Sequence, residues 1–76
     1  NQDKLFENLR TKRNNLAHLA GVAPDAVFTD STLKEMARKK PLLMTDMEEI
    51  SGMGEEKLNK YGRIFIETIK SVLNLD

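Results

Sequence analysis

The chain has 76 residues, which is enough for one small domain and too few for a deep cleft between two lobes. It contains no cysteine and one histidine, which excludes disulfides, thiolate metal sites and a cage of several histidines. Twelve Lys and Arg balance twelve Asp and Glu, so the composition does not indicate a basic protein that coats nucleic acid, and no uncharged stretch is apolar enough for a membrane span.

The first predicted element is a helix over residues 3–20. Gly21 then supplies the left-handed residue that follows many helices. The apolar stripe of the first helix consists of Leu5, Leu9, Leu16, Leu19 and Ala20.

No segment of the chain has polar and apolar residues alternating with period two, so no strand is predicted. The predicted fold class is therefore all-α, a compact bundle of about five short helices.

A connection over residues 22–29, which has room for a short helical turn, leads to the second long helix. This helix is predicted from Asp30, as its N-cap, to Lys40, and Pro41 prevents its continuation. The side chains expected to face inward are Leu33, Met36 and Ala37.

The next segment, residues 45–62, predicts a helix–hairpin–helix-like element. Thr45 and Glu48 have the spacing of a capping box, which opens a short helix with Met47 and Ile50 inward. Residues 51–54 break this helix, and a further short helix is predicted over residues 55–61, with Gly62 ending or bending it. The last helix, residues 63–73, has the widest apolar sector and is expected to be the most buried.

The hairpin glycines, Gly52 and Gly54, permit two interpretations. Backbone amides at the start of the following helix can hold a phosphate. Alternatively, the glycines only form a tight turn between packed helices, because residues 45–56 contain five acids and no base. These acids, Asp46, Glu48, Glu49, Glu55 and Glu56, repel phosphate.

Arg13 falls within the apolar stripe of the first helix, beside Leu9 and Leu16. We expect a partly buried guanidinium bonded to a carboxylate or carbonyl, with Asp30 as the partner, and contact with DNA is the alternative. His18 has no second ligand and predicts no metal site. No nucleophile–base pair is found, so the domain is not expected to be an enzyme.

The combined pattern resembles the HRDC domain, the helicase and ribonuclease D C-terminal domain. The resemblance covers residues 4–73. It rests on residues 27–37, Pro41, the hairpin at residues 50–54, Lys57-Leu58, Tyr61-Gly62, and the opening Leu5-Phe6, Leu9-Arg10 and Arg13. The chain resembles the HRDC domains of bacterial RecQ helicases most, because it has Val27-Phe28 and has Asp30 three residues before Leu33. We therefore expect residues 1–76 to be one domain from the C-terminal region of a larger protein.

The resemblance implies an auxiliary domain of a RecQ-type ATP-dependent DNA helicase that helps engage single-stranded or branched DNA. It implies weak binding through phosphates, a role in DNA repair and recombination, and a monomer in the bacterial cytoplasm at the nucleoid, without a membrane partner. The domain itself needs no cofactor, while ATP and Mg are expected in the helicase core of the parent. Two alternatives remain, a regulatory module that docks on that core and the accessory domain of a ribonuclease D.

The residues expected to contact nucleic acid are basic side chains outside the acidic segment, together with the two hairpin glycines. Asp25 stands directly after Pro24, where some bacterial RecQ domains have a tyrosine that contributes to single-strand binding. Its charge favours the docking alternative. The predicted set is Arg10, Lys34, Arg38, Lys39, Lys40, Lys57, Lys60, Arg63, Gly52 and Gly54.

Overall fold

The computed structural model describes residues 2–75, and all regular structure in that part of the chain is helical. The described residues form five helices, which is the number predicted. They are not the same five, because residues 24–27 form a short helix and the helices predicted over residues 55–61 and 63–73 are continuous. The segments are α1 (Gln2–Ala20), α2 (Pro24–Val27), α3 (Asp30–Lys39), α4 (Met44–Met47), α5 (Glu55–Lys57), a π-helical turn (Leu58–Gly62) and α6 (Arg63–Leu73).

The long first helix packs against α2, α3 and α6. Its buried positions are Leu5, Leu9, Arg13 and Ala17, four residues apart, and they form one ridge along the helix. The prediction that Leu19 and Ala20 face the core is wrong, because Leu19 is 82% exposed and Ala20 is exposed. Leu19 lies two residues after Ala17, roughly 200° around the helix, and therefore points to solvent.

Left-handed residues end the three longest helices. Gly21, with φ of 70°, ends α1 as predicted, and the amide of Val22 donates to the carbonyl of Ala17 at 3.0 Å. This is the Schellman arrangement, in which the first residues after the helix bond to carbonyls of its last turn. Lys40, with φ of 50°, ends α3, and Asn74, with φ of 59°, ends α6.

Thr29, not Asp30, is the N-cap of α3. Its hydroxyl oxygen accepts a hydrogen bond from the amide of Thr32 at 3.3 Å. The prediction of an Asp30 cap is wrong because Asp30 is already the first helical residue and its carboxylate bonds to Arg13. The threonine cap satisfies one of the amides that the start of a helix leaves free.

The capping box predicted at Thr45 and Glu48 does not form. The short helix α4 begins at Met44, so Thr45 lies inside it, and its N-cap Leu43 makes no side-chain cap. Burial of Met47 and Ile50, as predicted, holds this segment in place. The helix therefore begins without a polar side-chain cap, and its contacts with the core are apolar.

The expected boundary at Gly62 is also absent. Gly62 has helical backbone angles, φ −52° and ψ −52°, within a helical segment that runs from Glu55 to Leu73 through the π-helical turn. An added Cβ would lie 3.1 Å from Leu58 Cδ1 and 3.2 Å from the Met44 sulfur. Gly62 therefore does not end the helix, and the absence of a side chain there permits α4 to pack closely on it.

The core lies where α1, α3 and α6 meet. Phe28 is buried there and makes edge-to-face contacts with Phe65, at 5.1 Å between ring centroids, and with Tyr61, at 5.8 Å. Leu33, Met36 and Ala37 of α3 are buried, as predicted. Among the described helices, none combines the length and apolar character that crossing a membrane requires.

Candidate nucleic-acid interface

Arg13 is bound within the fold. Its Nη1 donates to the Phe28 carbonyl at 3.1 Å and to Asp30 Oδ1 at 2.6 Å, and the residue is 4% exposed. The hydrogen bond from Arg13 holds the pKa of Asp30 below its ordinary value of 3.8. The predicted structural role, with Asp30 as the partner, is confirmed, and the guanidinium is not presented at the surface.

A groove between α1 and α3 surrounds the partly buried ring of Phe6, and we call it the Phe6 groove. Arg10 of α1 and Lys34 of α3 each place their charge 5.8 Å from the centre of the Phe6 ring. The groove has a volume of about 460 Å³. Its lining residues are Asp3, Phe6, Ser31, Lys34, Glu35, Ala37 and Arg38.

Helical spacing explains the position of these cations. Phe6 is next to the buried Leu5, so its ring lies at the edge of the α1 ridge, and Arg10 follows one turn later on the same edge. Lys34 and Arg38 are likewise one turn apart on α3, beside the buried Leu33 and Ala37. The burial of two apolar stripes therefore brings three cations to one seam between the helices.

The cations of the Phe6 groove are weakly paired within the described structure. Arg10 contacts Glu7 at 3.3 Å, a pair with 41% and 65% exposed side chains, and its buried Nε makes no hydrogen bond. Lys34 and Arg38 make no ion pair among residues 2–75. Exposed pairs of this kind contribute little stability. Asp3 and Glu35 also line the groove, and Asp30 interacts electrostatically with Arg10 and Lys34, so an anionic ligand has to compete with these carboxylates for the cations.

The other predicted cations lie elsewhere. Lys39 bonds to Glu35 at 3.2 Å and faces Asp46 and Glu49 across a small groove. Lys57 lies over the Phe28 ring and Lys60 over the Tyr61 ring, at 5.8 Å and 5.9 Å. Arg63 lines a different groove, between α1 and α6, and Lys40 lies beyond the end of α3. Of the eight predicted cations, the structure thus groups Arg10, Lys34 and Arg38.

The hairpin packs on α3. Gly52 has φ of 83°, and an added Cβ would lie 2.6 Å from Thr32 Oγ1. The Ser51 amide donates to Glu35 Oε2 at 3.0 Å, and Thr32 Oγ1 donates to the Ser51 carbonyl at 3.0 Å. The Ser51 amide also lowers the pKa of Glu35 below its ordinary value of 4.5. The first amide of the hairpin thus already binds a carboxylate of the same chain, whereas Gly54 faces open space.

No site role was predicted for Phe6, and of the residues that line the groove between α1 and α6 only Arg63 was a predicted contact. The contact between Phe6 and Arg10 could have been predicted from the sequence, because an aromatic residue and an arginine one turn apart on a helix lie side by side. The partner cations on α3 depend on how the two helices cross. The described residues contain no group of three or more His, Cys, Asp or Glu able to hold a metal ion, and His18 is exposed.

Comparisons with known proteins identify relatives over most of the chain. It is 46% identical over 69 residues to the ATP-dependent DNA helicase RecQ of Bacillus subtilis and 39% identical over 71 residues to that of Haemophilus influenzae. These alignments cover 91% and 92% of this chain but 12% of each relative. A third relative, the ATP-dependent DNA helicase Q-like 4B of Arabidopsis thaliana, is 38% identical over 74 residues, which are 91% of this chain and 6% of the relative.

A solved structure described as "D. radiodurans RecQ HRDC domain 3" has the same fold. It superposes with a TM-score of 0.93 at 32% sequence identity, over 96% of both chains. The model of the HRDC domain family matches residues 2–69. Both findings agree with the resemblance noted in the sequence, and the chain belongs to the HRDC domain family.

Proposed function

We propose that this domain is an auxiliary part of a RecQ-type ATP-dependent DNA helicase and binds single-stranded or branched DNA through the Phe6 groove. The observation behind the proposal is that Arg10 and Lys34 lie beside one partly buried aromatic ring, while Lys34 and Arg38 line the groove next to it. The RecQ helicases among the relatives support a helicase as the parent protein rather than a ribonuclease D. ATP and Mg then act in the helicase core, outside this domain.

Phosphate groups are the expected ligands of the three cations. A phosphate in the groove replaces the cation–ring contacts of Arg10 and Lys34 with charge-assisted hydrogen bonds, which are stronger. The exposed part of the Phe6 ring adds an apolar surface for a sugar or base. With three cations on a domain of zero net charge, binding is expected to be weak and sensitive to salt.

The direct test is a titration of fluorescently labelled single-stranded and forked DNA with this domain at low salt. We expect saturable binding that is weakened by the double substitution Lys34→Ala with Arg38→Ala. The control is Lys70→Ala, which removes one positive charge on α6 outside the Phe6 groove, and this variant should bind DNA as the original chain does. No binding by the unmodified domain at high micromolar concentration would exclude DNA binding by the domain alone.

A second candidate function is docking on the helicase core, and the acidic segment of residues 45–56 favours it. All five of its carboxylates are exposed, and none forms an ion pair within residues 2–75. Such a surface complements a basic partner surface. The ATPase and unwinding rates of the parent, measured with and without this domain, separate the two candidates. If the domain acts by docking, a variant whose Phe6 groove no longer binds DNA should still alter these rates.

A further inference from the structure

A second groove lies on the face where α1 and α6 pack together, and we call it the α1–α6 groove. Its volume is about 620 Å³, larger than that of the Phe6 groove and within the range of about 300–1,000 Å³ that is common for ligand pockets. One face of each helix lines it, with Lys12 from α1 and Arg63 from α6 among the lining residues. The proposed DNA contacts at Phe6 make no use of this surface.

The floor of this groove has aliphatic surface at two positions, with Thr68 between them, whose hydroxyl donates to the Ile64 carbonyl. Ile64 and Val72 of α6 line it, and both are partly buried, so part of each side chain stays uncovered. They are eight residues apart, which on a helix is about 12 Å. Apolar anchors two turns apart on a bound helix span nearly the same distance, as in complexes where an amphipathic helix lies in a groove.

The rim of the groove has cations on both sides. Lys12 and Arg63 form no ion pair within residues 2–75, and Glu67 is the acid that lines the groove with them. The side chains of Thr11 and Asn15 also have no hydrogen-bond partner in the described part of the chain. An acidic edge on a ligand would complement the two cations, and its polar groups could bond to these side chains.

We propose that the α1–α6 groove docks an amphipathic helix of a partner protein, with its apolar face on Ile64 and Val72 and an acidic edge toward Lys12 and Arg63. Single-stranded DNA fits the groove less well, because no aromatic ring lines it and stacking on aromatic rings supplies much of single-strand affinity. The domain then has two separate surfaces, one for nucleic acid and one for protein.

The test is a titration of the isotopically labelled chain with a synthetic helical peptide, followed by amide chemical shifts. The peptide has leucines on one face, two turns apart, and glutamates along the edges, and the control peptide has the same composition in scrambled order. We expect shift changes confined to the α1 and α6 residues of the groove. The scrambled peptide should bind at least about tenfold more weakly, since it cannot present both anchors on one face.

Charge reversal at the rim separates specific docking from general attraction. Lys12→Glu should weaken peptide binding about fivefold or more, while Lys70→Glu, the same change on α6 outside the groove, should leave it unchanged. Equal loss in both variants, shifts centred on Phe6, or no shifts at millimolar peptide would overturn the proposal. A single-stranded oligonucleotide that shifts the groove amides would overturn it in favour of DNA. Each of these outcomes is independent of DNA binding at the Phe6 groove.

Discussion

Arg13 and Asp30 join the first and third helices through one short hydrogen bond. Arg13 Nη1 lies 2.6 Å from Asp30 Oδ1, and the side chains are 5% and 54% exposed. The same nitrogen donates to the Phe28 carbonyl, so the chain entering α3 is held at two points. Because Phe6 lies on α1 and Lys34 on α3, this contact joins the two helices that line the Phe6 groove.

Acid should weaken the domain in part through Asp30. Its pKa is lower in the folded chain than the ordinary 3.8, so the carboxylate stabilises the fold above that pH. The contribution is lost as the pH falls through the folded pKa. We therefore expect Asp30→Asn to reduce the free energy of unfolding at pH 7 and to have a smaller effect near pH 3, as measured by urea denaturation.

The control for this prediction is Asp25→Asn, which removes another exposed carboxylate. Asp25 has no hydrogen bond or ion pair within residues 2–75, so its substitution should change stability little at either pH. An Asp30→Asn variant with the same loss of stability at both values of pH would show that its charge is not the cause.

The hairpin glycines should differ in their tolerance of a side chain. Gly52→Ala forces a left-handed alanine whose Cβ meets Thr32 Oγ1, and we expect a loss of about 1–3 kcal/mol in the free energy of unfolding. Gly54→Ala places its Cβ in open space at φ −78°, and a change within about 0.5 kcal/mol is expected. Thermal or urea unfolding of both variants provides the comparison, and equal losses would contradict it.

Local signals predicted much of the fold correctly. Gly21 ends α1 as expected because only the local backbone has to adopt φ of 70°. Arg13 could be matched with Asp30 because an arginine inside an apolar stripe requires an acceptor. Local preference was not followed at Thr45, where the helix begins at Met44 without a capping box, and at Gly62, where the helical backbone continues beside the closely packed Met44.

The candidate site was less accessible to prediction. Each cation could be assigned to a helix, but whether two cations face the same groove depends on the crossing of α1 and α3. Lys34 and Lys39 illustrate the difficulty, because they lie on one helix and yet one contacts Phe6 while the other bonds to Glu35. The two grooves arise from contacts between helices that are distant in sequence.

The identity of the α3 cap can be tested with two threonines. Thr29→Ala removes the side chain that accepts from the Thr32 amide, and we expect a loss of about 1 kcal/mol. Thr45→Ala should cost less than about 0.5 kcal/mol, because Thr45 makes no capping bond at the start of α4. Urea unfolding followed by circular dichroism measures the free energy of unfolding of both variants. A larger loss of unfolding free energy for Thr45→Ala than for Thr29→Ala would indicate that Thr45 does cap α4.

The left-handed residue at the end of α3 offers a route to higher stability. Lys40 has φ of 50°, which disfavours any residue with a Cβ, whereas glycine adopts it without strain. Lys40→Gly should raise the free energy of unfolding by about 0.5–1 kcal/mol, after the entropic cost of glycine. Gly21→Ala is the reverse change at φ of 70° and should lower it by about 1 kcal/mol. If Lys40→Gly and Gly21→Ala shift the midpoint temperature of unfolding in the same direction, this prediction is contradicted.

The salt dependence of DNA binding should report on the phosphates that the Phe6 groove contacts. Each phosphate neutralised on a single strand contributes roughly 0.7 to the slope of log K against log salt. Replacing Lys34 and Arg38 with alanine removes two of the three converging cations, so the slope should fall by about 1.4. Lys70→Ala lies outside the groove and should leave the slope unchanged. If the slope falls by the same amount for each charge removed in both variants, DNA binding depends on the overall charge of the domain and not on the Phe6 groove.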